Sequence, residues 1–288
     1  MMPRQIGVCL HEATQRLLDA GIVSARTEAR LLMGYWLDRD PAELFGPQDE
    51  EVGAPECFFD LVDRRVSREP LSHLVGRREF WSIEFEVSDN VLDPRPDSEV
   101  LIETGLLHWP NRSDSFSVLD LGTGSGCLLL SLLRNRPYAI GVGVDVSGAA
   151  LEIARRNAAR IVPDGRAQFL KADWGSSISQ PFDLVVVNPP YIPSDQIPEL
   201  DPEVANFEPL LALDGGLDGL DAYRCIAKDL ARLTTPNGII LLEIGSDQSE
   251  QVTSILEKCG LVVGCIRNDL AGRNRCLVAH HKMYMGVK

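Results

Sequence analysis

The stretch that most restricts this chain runs from residue 117 to 126. A short apolar run, Val118–Leu121, leads straight into Gly122-Thr123-Gly124-Ser125-Gly126, and an apolar helical pattern resumes near Cys127. A strand, a tight glycine turn and a helix open a parallel α/β sheet, because parallel strands need a crossover and a helix supplies it. The alternation continues. Strands are expected at Ile140–Asp145, Gln168–Lys171, Asp183–Asn188 and Gly238–Ile244. Helices are expected from a Ser147 cap to Arg160, over Asp221–Leu233 and over Gln248–Cys259, with late strands at Leu261–Ile266 and Arg275–His280. Consecutive Val185, Val186 and Val187 predict a strand buried on both faces. The fold expected is α/β, a doubly wound, Rossmann-like sheet.

The first part of the chain has a different period. Ile6, Leu10, Ala13 and Leu17 recur at helical spacing, and Gly21 stops the run. Ser24 is placed to cap a second helix bearing Ala29, Leu32, Met33, Trp36 and Leu37, and Phe58, Leu61, Val62 and Val66 suggest a third. Phe80, Trp81, Ile83, Phe85 and Val87 then show rough two-residue alternation, the sign of a hairpin. Three segments are therefore expected: a small all-helical domain (1–75), a β-hairpin linker (76–93) and an α/β domain (94–288).

Composition narrows the function. Against 28 Lys and Arg stand 42 Asp and Glu, a net charge of −14. A chain whose work is gripping phosphate backbone needs a basic face, so stable nucleic-acid binding is not expected. Seven cysteines, odd in number, scattered and without C-x-x-C spacing, predict reduced thiols and no metal site. No apolar run approaches the ~18 residues of a membrane span, and residues 1–10 carry no signal-peptide pattern, so a cytoplasmic protein is expected.

Three successive strand ends carry the candidate cofactor residues. Gly122, Thr123, Gly124, Ser125 and Gly126 would let a ligand approach the backbone. The pattern is G-x-G-x-G, and Cys127 occupies the place of a dinucleotide fold's third glycine, which disfavours NAD. Asp145 ends the second strand, where a carboxylate can accept both ribose hydroxyls; a helix-capping Asp is the alternative. Asp173 and Trp174 follow the third strand, offering an acceptor for an exocyclic amine and a flat face for a base. A nucleoside without a pyrophosphate clamp fits S-adenosylmethionine better than NAD.

The fourth strand ends in Asn188-Pro189-Pro190-Tyr191. Each proline restricts the residue before it and offers no N–H, so the turn is rigid. The Asn188 side-chain oxygen and the Pro189 carbonyl are two fixed acceptors suited to an –NH2 group, and Tyr191 can lie against a planar acceptor. An amide nitrogen is a poor nucleophile because its lone pair is delocalised. Holding its N–H bonds and aiming it at a sulfonium methyl supplies positioning and favours the charge that grows on nitrogen. No strong base is needed, and no His or Glu stands out as one.

The chain resembles the class I S-adenosylmethionine methyltransferases that carry N-P-P-Y, and within them most closely the bacterial release factor glutamine N5-methyltransferases, the PrmC/HemK family. The resemblance spans nearly the whole chain. It includes Pro70–Gly76, Val91–Glu99, the 119–126 loop, Asn188–Tyr191, Pro202–Leu220, Leu242–Gly245 with Gln248, and Asp269–Arg273 with Arg275. It implies a seven-stranded methyltransferase domain after a helical substrate-recognition domain. It also implies S-adenosylmethionine as cofactor, S-adenosylhomocysteine as product, and the glutamine of the Gly-Gly-Gln loop of class I peptide-chain release factors as acceptor. Cofactor contacts then fall on Gly122–Gly126, Asp145, Trp174 and Asn188, and acceptor contacts on Asn188, Pro189, Pro190 and Tyr191. His73 and Asp93 depart from the family pattern and are expected to lie outside the site.

Three rival readings stand beside this one. N-P-P-Y also serves adenine-N6 methyltransferases, since adenine presents a planar –NH2. Residues 192–221 carry eight acids and no Lys or Arg, which opposes a phosphate-bearing acceptor. That stretch is long for a connection and is expected either to cover the site or to be a solvated acidic loop. The second rival is a binding protein that has kept the fold without the chemistry, and the third is a nicotinamide oxidoreductase.

Overall fold

The structure, a computed structural model, describes residues 3–46 and 49–282. It divides into two compact units, residues 1–77 with 201–207, and residues 78–200 with 208–288.

The first unit holds β1 (Arg4–Gln5), α1 (Ile6–Asp19), α2 (Ala25–Leu37), β2 (Glu51–Val52), α3 (Pro55–Val66) and α4 (Leu71–Val75). Ile6, Cys9, Leu10, Ala13 and Leu17 form the buried stripe of α1 and join Ala29, Leu32, Met33, Phe58 and Val62 in one core. The unit is not wholly helical, since β1 and β2 form a two-residue antiparallel ladder. Nor does Ser24 cap α2; its hydroxyl meets the Glu28 carboxylate at 2.7 Å and leaves the helix end without a side-chain cap. Glu28 in turn holds the buried Arg65 at 2.6 Å. Arg65 and Arg68 both reach Glu203, at 3.0 and 2.9 Å, which ties residues 201–207 to this unit.

The second unit opens with a hairpin, β3 (Arg77–Phe80) and β4 (Ile83–Glu86), followed by α5 (Glu99–His108). There follow β5 (Ser117–Leu121), α6 (Cys127–Asn135), β6 (Ile140–Asp145), α7 (Gly148–Ile161), β7 (Ala167–Lys171) and β8 (Phe182–Val187). Within residues 192–221, where the sequence suggests only a connection, lie two short helices, α8 (Pro202–Phe207), which belongs to the first unit, and α9 (Leu210–Leu213), which belongs to the second. The chain ends with α10 (Asp221–Leu233), β9 (Thr234–Glu243), α11 (Ser249–Lys258), β10 (Leu261–Asn268) and β11 (Asn274–His281).

Seven strands form one sheet in the order β10-β11-β9-β8-β5-β6-β7. β11 runs antiparallel to both neighbours, so the sheet is not parallel throughout. Alternation along the central strands explains the two layers. Leu119, Leu121, Val185 and Val187 pack with Tyr223, Ile226 and Leu230 of α10 and Val252 and Leu256 of α11. Val118, Leu184 and Val186 face the other way, onto Leu101 of α5 and Leu129 and Leu132 of α6. Period-two side chains that are apolar on both faces require a helix layer on each.

Two glycines of β6 let the layers close. A Cβ at Gly143 would stand 2.8 Å from both the Thr123 hydroxyl and the Phe169 ring. We expect Gly143→Ala to destabilise the protein by about 1–3 kcal/mol through overpacking. A lower urea midpoint at unchanged m-value would show it, and an unchanged midpoint would refute the close fit.

Candidate active site

Parallel pairing brings the carboxyl ends of β6, β5 and β8 side by side, with Leu121 opposite Val144 on one neighbour and Val187 on the other. Above them opens a cavity of about 870 Å³. Its walls include Gly122, Thr123, Gly124, Ser125, Asp145, Asp173, Trp174, Asn188 and Pro190. Gly126, Pro189 and Tyr191 are not among the walls. Asp93, expected outside the site, lines the cavity with Arg95 and Ser98, because residues 90–98 run along its edge.

The glycine loop is held from beneath. Asp120, 1% exposed at the end of β5, accepts the Thr123 hydroxyl at 2.6 Å and the Leu129 N–H at 3.3 Å. Burial pushes its carboxyl up to about 7, against those two hydrogen bonds. Gly122 turns with φ +76°, and a Cβ there would meet the Trp174 ring at 3.3 Å. That close approach needs glycine. Gly126, at φ +82°, starts α6 from the left-handed region.

Asp145 supports the same loop. One of its oxygens accepts the Gly124 N–H at 2.9 Å and the other the Ser147 N–H at 2.8 Å. Each carboxylate oxygen has a second lone pair, so acceptors remain for a ligand. Ser147 caps α7 by taking the Ala150 N–H, as the sequence suggested, which leaves Asp145 free of that task. Asp173 is exposed, and Trp174 adopts φ +48°, a conformation that a side chain rarely takes outside functional or strained turns. The carboxylate, the glycine backbone and the indole face make a donor and acceptor set that fits a nucleoside.

Asn188 donates from Nδ2 to the Ser98 hydroxyl at 3.3 Å. Tyr191 turns its hydroxyl to Glu243 and Arg275, each at 3.3 Å, and packs against the core. Sequence reading gave no role to Ser98, Glu243, Arg95, Glu208 or Arg275. Arg95 pairs with the buried Glu208, whose carboxyl is pushed up to about 7 by burial, against Arg95. A buried carboxylate and an arginine 113 residues apart carry no local pattern. The only signal was the set of family-like segments in which they stand.

Three acids of the stretch 192–221 are held within the second unit. Asp214 accepts from Ser194 and the Gly216 N–H, and Arg224 takes both Asp218 and Asp221. Asp195, Glu199 and Asp201 are exposed. Leu210 and Leu211, also exposed, stand at the cavity wall.

Known proteins bear on this arrangement. Residues 9–76 match a family model described as the PrmC N-terminal domain, and residues 92–199 one described as the methyltransferase small domain. The release factor glutamine methyltransferase of Rhodospirillum rubrum is 43% identical over 96% of this chain and 85% of its own length. That of Caulobacter vibrioides is 42% identical over 96% and 94%. Among solved structures, a methyltransferase from Pyrococcus furiosus overlays with TM-score 0.52 at 15% identity, covering 75% of this chain and 97% of its own; at that identity it speaks for the fold alone. Identity above two-fifths along almost the full length, on a seven-stranded sheet whose glycine loop, Asp145 and Asn188 border one cavity, places this chain in the release factor glutamine methyltransferase family.

Proposed function

We propose that the protein transfers a methyl group from S-adenosylmethionine to the side-chain amide nitrogen of the glutamine in the Gly-Gly-Gln loop of class I peptide-chain release factors. The observation that carries the reading is the position of Asn188, at the end of β8 on the same cavity as the glycine loop and Asp145. When bound, the cofactor supplies an electrophilic sulfonium methyl, and its sulfur keeps the electron pair as S-adenosylhomocysteine leaves.

The chain's own residues bind and aim. Asp145 accepts ribose hydroxyls, and Gly122–Gly126 bring backbone close to the ligand. Trp174 covers a base face, with Asp173 as acceptor for its exocyclic amine. The Asn188 oxygen, with the Pro189 carbonyl, holds the acceptor's N–H bonds so that its nitrogen faces the methyl, and Pro190 keeps the turn rigid. Tyr191 is assigned to the planar amide from the side. Positive charge develops on nitrogen as the C–N bond forms, and fixed oxygen dipoles stabilise it. Once alkylated the nitrogen is acidic, so its proton passes to water without a dedicated base. The helical segment, residues 1–75, is assigned to gripping the substrate protein away from the loop, residues 76–93 to a linker, and residues 94–288 to the chemistry. The site of action is the cytoplasm, where release factors work. No stable nucleic-acid partner or membrane is proposed; no helix among the described residues is long and apolar enough to cross one.

Asp145→Ala should weaken S-adenosylmethionine binding by about 10–100-fold, the worth of one charge-assisted hydrogen bond of ~1.5–3 kcal/mol. A calorimetric Kd equal to that of the unaltered protein would remove Asp145 from the ribose role.

Asn188→Ala should keep the fold and lower single-turnover methylation of a release factor by about 10²–10³. Asn188→Asp, nearly the same size, should bind the cofactor at least as well as Asn188→Ala, because its charge attracts the sulfonium, yet still methylate poorly. Mass spectrometry locates the methyl group, with duplex DNA as the control acceptor. Undiminished rates in both variants, or methylated DNA, would overturn the assignment.

The exposed acids should steer a protein partner. Reversing Asp195 and Glu199 to Lys should change the association rate with the release factor and its salt dependence, with kcat little altered. Stopped-flow traces insensitive to both charge and salt would count against a docking role for this stretch.

A further inference from the structure

Charge is spread unevenly over the cavity wall. Five of the lining side chains are aspartates: Asp93, Asp145, Asp173, Asp214 and Asp221. Among the described residues that line it, Arg95 is the one cation. Its side chain is 35% exposed, and Nη2 donates to Oε1 of the buried Glu208. The other Glu208 oxygen is buried without a hydrogen bond. A guanidinium and a carboxylate held only for each other would meet with two donors on two oxygens. Here one donor meets one oxygen, and Arg95 makes no further hydrogen bond among the described residues. Most of its five N–H donors are therefore unspent.

The segment that carries Arg95 is pinned on both sides of the cavity. Val91 packs with Ala150 and Ile153 of α7, the helix that follows β6. Ser98 Oγ lies 3.3 Å from Asn188 Nδ2, at the end of β8. In the sheet β5 stands between β6 and β8. Residues 91–98 thus span from the Asp145 side of the cavity to the Asn188 side, and Arg95 stands between the two. S-adenosylmethionine is a sulfonium with three arms. The adenosine arm is assigned to Asp145 and Trp174, and the methyl is aimed at Asn188. The third arm ends in an α-amino group and an α-carboxylate, the cofactor's only anion. Among five aspartates that carboxylate is repelled unless a cation receives it. A planar guanidinium with unspent donors matches both carboxylate oxygens.

We propose that Arg95 binds the α-carboxylate of S-adenosylmethionine, and that Glu208 holds the guanidinium in place while leaving the rest of its fork to the cofactor. This rests on the reading of the cavity as the S-adenosylmethionine site, and it assigns the one arm of the cofactor that had no partner. Glu208 acts in two ways at once. It orients Arg95, and its own charge competes with the cofactor for the same cation. Neutralising the two members of the pair should therefore have opposite consequences for cofactor binding. A pair that only shaped the wall would give losses of the same kind at both positions.

The test is calorimetry on the full chain, each variant checked by thermal melting. The ligands are S-adenosylmethionine and its decarboxylated form, which keeps the sulfonium and the amine. Arg95→Gln should weaken S-adenosylmethionine binding by about 10–100-fold, the loss of a charge-assisted contact. The same variant should bind the decarboxylated form within about twofold of the unaltered protein. Arg95→Lys keeps the charge without the fork and should fall between the two. Glu208→Gln should bind S-adenosylmethionine at least as tightly as the unaltered protein. If Arg95→Gln fails to fold because Glu208 is left buried and unpaired, the double variant Arg95→Gln/Glu208→Gln, which buries no unpaired charge, replaces it with the same expectation. Equal losses of both ligands in Arg95→Gln, undiminished binding of both, or weakened binding in Glu208→Gln would overturn the assignment. An unchanged cofactor Kd beside a raised KM for a purified release factor would also overturn it, and would give Arg95 to the acceptor. A cofactor lost from Asp145→Ala but kept by Arg95→Gln refutes only the role of Arg95, whereas an unaltered chain that binds neither ligand refutes the cofactor site itself and this assignment with it.

Discussion

Parallel pairing of β5 with β6 and β8 is the constraint on which the rest depends. It sets three strand ends level, so the glycine loop, Asp145 and Asn188 leave the sheet at one end, where the Gly124 N–H to Asp145 hydrogen bond then joins the first two. Register matters because strand side chains alternate. A slip of one residue in β8 would turn Val185 and Val187 out of the α10–α11 layer and into the α5–α6 layer, and would shift Asn188 relative to the loop. Apolar burial on two faces thus does more than stabilise the domain. It fixes the height at which each functional residue emerges.

Around that edge the protein keeps several carboxyls away from water. Asp120, Glu208 and Glu243 are buried, and burial pushes each up to about 7. Their tasks differ. Asp120 anchors the glycine loop through Thr123 and the first turn of α6. Glu208 holds Arg95, a cavity-lining residue from a segment far away in sequence. Glu243 meets Tyr191. Groups of this kind are costly to bury and gather where a site must be held in one geometry. The resulting rigidity suits a reaction that is mostly positioning, in which a weak nucleophile has to be aimed.

The acidic stretch 192–221 shows what composition alone leaves open. Eight acids without a base suggest either a solvated loop or a cover for the site. Part of the stretch, Leu210 and Leu211, does stand at the cavity wall, and much of its charge is paired: Glu203 by Arg65 and Arg68, Glu208 by Arg95, and Asp218 and Asp221 by Arg224. The arginines come from outside the stretch, so a count within it could not see them.

The sequence by itself determined the fold class and the order of the seven sheet strands with helices α6, α7, α10 and α11, because period-two and period-3.6 apolar patterns are local and survive without knowledge of neighbours. It also marked Gly122–Gly126, Asp145 and Asn188, since strand ends and glycine or proline turns are readable one segment at a time. Only the tertiary structure decided the reversed direction of β11, the entry of Asp93 into the cavity wall, and the links from Glu243 to Tyr191 and from Asn188 to Ser98. Those features join residues that are 52 and 90 positions apart. Whether a buried Glu, Ser or Arg finds a partner depends on how two distant segments pack, and no local propensity encodes that.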